Sequence, residues 1–181
     1  FPLRGKLLNV RDINMKKITD NQEISSLVTY INTMSGIHDY NYHYGISFWI
    51  YFDPQLMQIR NNSKIGFIMN YADSPKIYFD YYTSELVIET SYYDEEHGKH
   101  MNKKIYKTKN ILFQRWNSFI VNYYFGTLDI FINNNLVFTQ SGIAPYIEEK
   151  KNKLIFGSDK EPLINSGICN VYYKNYPYNL S

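Results

Sequence analysis

The chain has 181 residues and a net charge of +2, with 44% hydrophobic and 20% charged residues and the two signs interspersed. That length accommodates one domain with a real core, and the composition excludes a disordered polypeptide. Evenly mixed charge argues against a nucleic-acid binder, which concentrates positive charge on one face, and no apolar run approaches the ~20 residues of a membrane-spanning helix.

Residues 1–31 read differently from the rest. Phe1 to Val10 is a short extended segment, and a chain opening on Phe rather than Met reads as a piece of something longer. Met15, Ile18, Ile24, Leu27, Val28 and Ile31 then recur at spacings that suit an amphipathic helix, with Asp12 or Asn14 as its cap. The expectation is a helix over roughly 13–30, with Leu27 to Ile31 alternatively opening the first strand of the next domain. The domain boundary is placed between 31 and 32.

From Tyr44 onward the pattern is strand and turn. Runs at 46–52, 65–71, 76–82, 85–91, 103–107, 117–124, 127–133, 153–156 and 167–174 are rich in Ile, Val, Phe and Tyr, residues that suit a pleated, half-buried surface. Turn signals separate them, among them Asp53-Pro54, Asp73-Ser74-Pro75, Gly98, Gly126 and Asn165-Ser166-Gly167. The polar stretch from Ser91 to Lys104 is expected as an exposed hairpin tip or connection. Many short strands with such punctuation predict an antiparallel sandwich or barrel.

Trp116 to Val137 reads as one complete β-hairpin. Leu128, Ile130 and Ile132 alternate against Asp129, Phe131 and Asn133, so one set faces a core and the other the opposite side. Asn133, Asn134 and Asn135 then reverse the chain before Leu136, Val137 and Phe138, Asn being the residue besides Gly best able to take positive φ. The single Cys169, within an apolar run, excludes an intrachain disulfide framework and is expected as a buried, inert thiol. It favours a reducing compartment or a virion only weakly, and the localisation stays open.

Three separated blocks resemble the laminin-G-like branch of the concanavalin A-like lectin/glucanase superfamily, a two-sheet jelly roll. They are Tyr44 to Ile50, the hairpin from Trp116-Asn117 to Asn133-Asn134, and Ile155-Phe156-Gly157 followed by Gly167 to Tyr173 and Leu180-Ser181. The blocks occur in the family's order, with Asn134 where the family commonly has Gly. The general texture is similar to versions found in large DNA viruses. The resemblance implies an all-β sandwich preceded by a short helical appendage, with Trp49 and Trp116 as core residues.

A second resemblance is shorter. Phe1 to Asp12, with Asn21 and Glu23-Ile24, is similar to a segment of type II DNA topoisomerases just after the first metal-binding acidic motif. By that likeness alone, Arg4 and Lys6 would lie near DNA. The family's acidic metal motifs and catalytic tyrosine region are missing from this chain, so no DNA cleavage is expected of it.

Glycosidases need two carboxylates across the sugar, and the superfamily's glucanases carry Glu-x-Asp-x-x-Glu on one strand. No such spacing exists here, so the chain is read as non-enzymatic. Asp94 to His100 holds two His and three carboxylates, but in a polar loop these read as solvated charges rather than a metal site. Calcium suits the superfamily and Asp53, Asp73, Asp129 and Asp159 are available, yet no spacing singles out a site, so neither metal nor cofactor is assigned. Sugar binding usually combines a ring stacked on a pyranose face with Asn and Asp bonding to hydroxyls. Asn122, Tyr124, Asp129, Phe131 and Asn133 on one face of the hairpin are the candidates, with Tyr78, Tyr81 and Tyr82 as further rings. The expected partner is a glycan or a protein surface. A structural, virion-associated domain and a fragment of a topoisomerase-like polypeptide are the alternatives, and a homo-oligomer or larger assembly is open.

Overall fold

The computed structural model describes residues 13–14, 22–23, 43–52, 65–94, 96–143, 145, 153–156, 166–174 and 176–178. Its strands are β1 (Ile13–Asn14), β2 (Gln22–Glu23), β3 (Tyr44–Phe52), β4 (Ile65–Tyr71), β5 (Lys76–Asp80) and β6 (Glu85–Asp94). They continue as β7 (Lys99–Thr108), β8 (Trp116–Tyr124), β9 (Thr127–Ile132), β10 (Asn135–Ser141), β11 (Lys153–Phe156) and β12 (Ser166–Lys174). Two six-stranded sheets result, with orders β1-β12-β3-β8-β9-β10 and β2-β11-β4-β5-β6-β7. Every pairing is antiparallel. The expected all-β sandwich is present.

The core lies between the sheets and is built by alternation. Tyr44, Ile46, Phe48, Ile50 and Phe52 of β3 meet Phe119, Val121 and Tyr123 of β8 and Leu128, Ile130 and Ile132 of β9. Ile68, Tyr71, Ile77, Phe79, Leu86 and Ile88 come from the opposing sheet. Tyr44 lies within 6 Å, ring to ring, of Tyr71, Tyr123 and Tyr173. Its hydroxyl donates to the Ser74 carbonyl, and the Tyr123 hydroxyl shares a hydrogen bond with Thr90 Oγ1 at 3.0 Å. Tyrosine in a core requires such partners for the polar tip. In β12 a bulge between Cys169 and Tyr172, with Asn170 at φ 50°, shifts the alternation so that Ile168, Val171 and Tyr173 all point inward.

The expected hairpin is present as β8 and β9 and continues into β10 to make a three-stranded meander, whose two reversals have the backbone the sequence suggests. Phe125 and Gly126 both have positive φ, as do Asn133 and Asn134, the requirement of the tight turn whose twist matches the strands. The chain beyond Asn134 forms a full strand, β10. The polar stretch 91–104 is mostly strand as well, since β6 runs to Asp94 and β7 starts at Lys99, leaving a turn at 96–98.

An unbroken helix over 13–30 is corrected by the four residues described there, 13–14 and 22–23; the rest of that range, with the alternative strand start at Leu27 to Ile31, lies outside the described residues. Within that range the described residues are β1 and β2, both extended, and they pair with β12 and β11 at the edges of the two sheets. Apolar spacing alone cannot distinguish a helix from edge strands when the backbone groups of a sheet stand ready to pair. Both pairs fall in the 1–31 segment and hydrogen-bond to strands of the sandwich. Arg4 and Lys6 lie outside the described residues.

Candidate functional site: the outer face of one sheet

Alternation along β3, β8, β9, β10 and β12 gives the first sheet an outer face whose members follow from the registers. Gly45 stands beside Asn122 and Asn122 beside Asp129, while Ser47, Ile120, Phe131 and Leu136 follow in one row. Trp49 is opposite Ser118 and Tyr51 opposite Trp116. Asn122, Tyr124, Asp129 and Phe131 thus share this face, as their spacing predicts, but they do different work.

One end of the face is covered. Residues 176–178 cross it as a strap, and Asn122 holds the strap by both ends of its amide: Nδ2 donates to the Tyr178 carbonyl at 3.0 Å, and Oδ1 accepts from the Tyr178 N–H at 2.9 Å. Ser47 Oγ donates to the Tyr178 hydroxyl at 2.9 Å, which donates in turn to the Tyr172 carbonyl at 3.2 Å. Lys174 Nζ sits 4.1 Å from the Tyr178 ring centroid. Gly45 lies under that ring, where a Cβ would come within 2.5 Å of Tyr178 Cδ2. Burial pushes the Tyr178 phenol up to about 12, partly offset by the bond from Ser47.

Asn133 is also engaged. Its Oδ1 accepts from the Ser118 N–H at 3.0 Å and its Nδ2 donates to Asn117 Oδ1 at 3.1 Å. Asn117, wholly buried, bonds both the N–H and the carbonyl of Leu112. These two asparagines tie the β9–β10 turn to the loop before β8.

The other end of the face is open. Trp49 is 42% exposed and Trp116 40%. Tyr51 lies with its ring centroid 5.7 Å from that of Trp116, and half-buried Ile120 and Phe131 continue to Leu136, itself exposed. Asp129 lies back in the row of Gly45 and Asn122, where it accepts a hydrogen bond from the Thr139 hydroxyl. The expected core placement of Trp49 and Trp116 is therefore corrected. In β3 the inner set is Tyr44, Ile46, Phe48, Ile50 and Phe52, so Trp49 has the wrong parity for the core. Trp116 shares its parity with Ser118, Ile120 and Asn122. That count was available in the sequence and identifies both tryptophans as outward. Cys169, opposite Trp49, is half-buried rather than buried.

A separate aromatic group occupies the β8–β9 tip. Phe125 is 73% exposed, Tyr124 is exposed, and His43 lies edge-on to both, 4.6 and 5.6 Å between centroids. Tyr124 is thus at the tip, away from the tryptophans. Tyr78, Tyr81 and Tyr82 belong to the other sheet and its β5–β6 turn and do not join this face. Tyr78 donates to Glu89 Oε1 at 2.6 Å, Tyr81 packs on Phe79, and Tyr82 is solvent-exposed.

Chemically the open end offers the ring faces of Trp49, Tyr51 and Trp116. Among the described residues the strands of this sheet carry a single carboxylate, Asp129, whereas glycoside cleavage needs two. The described residues contain no group of three or more His, Cys, Asp or Glu placed to hold a metal ion. No described helix is long and apolar enough to cross a membrane.

No protein-family model matches the chain. The receptor-binding domain of botulinum neurotoxin D is similar in structure, with TM-score 0.56 at 14% identity over 76% of this chain and 35% of that one. The serotype D ligand-binding domain in complex with N-acetylneuraminic acid gives TM-score 0.55 at 14% identity, over 76% of this chain and 34% of that one. The likeness is one of fold, an antiparallel sandwich of two sheets, and the chain spans about a third of those domains. DNA topoisomerase 2 of Acanthamoeba polyphaga mimivirus is 56% identical over 36 residues, 20% of this chain and 3% of that enzyme. A DNA topoisomerase 2 of Caenorhabditis elegans is 64% identical over 28 residues, 16% of this chain and 2% of that enzyme. The short topoisomerase-like segment is thus real, and the chain spans only a few per cent of the curated relatives it matches.

Proposed function

We propose that this chain is a non-catalytic, lectin-like recognition module that binds a glycan on the open end of the outer face. The observation carrying this reading is the pair of solvent-open tryptophans, Trp49 and Trp116, in neighbouring rows of one sheet face. An indole face stacks on the C–H face of a pyranose, and two such rings on one face give a sugar an apolar platform. The complex of a similarly folded domain with N-acetylneuraminic acid supports the ligand class. Single-site affinity is weak for such shallow platforms, and multivalent display raises it.

The chain contains two tryptophans in all, both on this face, so intrinsic fluorescence reports on the site directly. Titration with a glycan panel that includes N-acetylneuraminic acid conjugates shifts the emission for at least one member. Trp116→Ala weakens that binding at least ~10-fold, the loss of about 1.4 kcal/mol of contact, without altering the circular dichroism. A panel that leaves the emission unchanged at millimolar sugar refutes the reading.

A second reading, a piece of a topoisomerase-like polypeptide, rests on matches 36 and 28 residues long. The complete gene tests it. An authentic enzyme encodes the acidic metal motifs elsewhere in the same frame.

A further inference from the structure

The two sheets end on one flank in strands of opposite character. β7 closes the second sheet and β10 the first, and Tyr106 of β7 lies 5.5 Å, ring to ring, from Phe138 of β10. β7 carries the exposed lysines Lys99, Lys103 and Lys107. Lysines along an edge are a common guard against unwanted strand pairing, because a second copy meets charge on charge. β10 has none: from Ile130 to Ile147 the sequence holds no charged residue. Along it Leu136 is 55% and Val137 37% exposed. Among the described residues β10 pairs only with β9. A bulge between Leu136 and Phe138 interrupts its first half and leaves Phe138–Ser141 regular.

We propose that the Phe138–Ser141 segment pairs antiparallel with the same segment of a second copy, joining two six-stranded sheets into one across a two-fold axis. The absence of charge selects this occupant. In two-fold antiparallel pairing each strand meets its own side chains, so a charged edge repels itself and a neutral one does not. The lysines of β7 confine the pairing to one sheet. Leu136 and Val137 flank the join and become covered. The row Ile120, Phe131, Leu136 then runs towards the axis and continues on the partner copy, placing two outer faces side by side. The inference stands on the edge alone and does not require that face to bind a sugar.

Sedimentation equilibrium from ~1 µM to ~1 mM, with the double variant Val137→Lys/Ser141→Lys alongside, tests the proposal. The wild type is expected to form a reversible dimer, and the variant's dissociation constant to rise at least ~10-fold while its thermal midpoint at low concentration is unchanged. Hydrogen exchange of the intact chain adds the location, with protection of β10 amides growing with concentration and that of β7 amides not. A wild type monomeric across the range, a variant that associates equally well, or concentration-dependent protection in β7 would each overturn it.

Discussion

The covered and open ends of the outer face share strands, sheet and register, yet they are built from opposite residues. Under the strap stand Gly45, Ser47 and Asn122, small or polar, each shaped to receive Tyr178. On the open end stand Trp49, Tyr51, Trp116 and Phe131, large and aromatic. Intuition would bury the second set and expose the first. The reversal teaches that burial on a sheet face is decided by what crosses it: a bonded strap requires clearance and amide partners, whereas a stretch that no described segment crosses keeps its apolar rings in water.

The sharpest way to break this contrast is to fill the clearance. Gly45→Val places methyls where a Cβ alone would already approach Tyr178 Cδ2 at 2.5 Å and Asn122 Oδ1 at 2.6 Å. The strap must leave, at an expected cost of ~3 kcal/mol, the upper range for overpacking. Urea denaturation reads the loss, and limited proteolysis should open a new cut beyond Lys174. A variant as stable and protease-resistant as wild type would show that the strap adds nothing to the fold.

A paired substitution sharpens it further. Asn122→Ala strands the N–H and carbonyl of Tyr178 and should cost ~2 kcal/mol. Trp116→Ala removes a far larger side chain from the open end and should cost about 1 kcal/mol or less, since that ring is already partly in water. Thermal denaturation of the two variants side by side decides the matter, and the reverse ranking would mean that the tryptophan is structural.

Much of this molecule can be read from residue order. The hairpin from Trp116 is legible because the Leu128, Ile130, Ile132 alternation and the Asn133-Asn134 reversal agree, and both reappear in the structure. Parity along β3 likewise turns Trp49 outward, since Ile46, Phe48 and Ile50 fill the inner positions. The N-terminal strands are less legible. Ile13–Asn14 and Gln22–Glu23 are two-residue pairs whose extended form depends on β12 and β11, more than a hundred residues away. Asn122 shows the limit for a site. Its position on the outer face follows from alternation, but its engagement by Tyr178 is a contact between distant segments that no local pattern encodes. The neutrality of β10 is plain in the sequence, and its meaning emerges only when the topology makes it an edge.

The smallest effect concerns the strap's own hydroxyl. Tyr178→Phe removes the bonds to Ser47 and the Tyr172 carbonyl while keeping the ring, so about 0.5 kcal/mol is expected at neutral pH. Its signature lies at high pH. The folded phenol holds its proton up to about 12 because burial disfavours the phenolate, while the unfolded phenol loses it near 10. Below pH 10 both states are protonated and the contribution to stability is complete. As pH climbs from 10 towards 12 the unfolded chain alone releases the proton, and that contribution is progressively lost. Tyr44, Tyr71 and Tyr123 are also pushed up by burial, so the wild type weakens steeply in this range and the variant still weakens. The difference is one group: the slope of unfolding free energy against pH should fall by up to one proton in Tyr178→Phe. Urea titrations at closely spaced values between pH 9.5 and 11.5 resolve it, and identical slopes would place the Tyr178 ring in solvent, with the covered end of the face open after all.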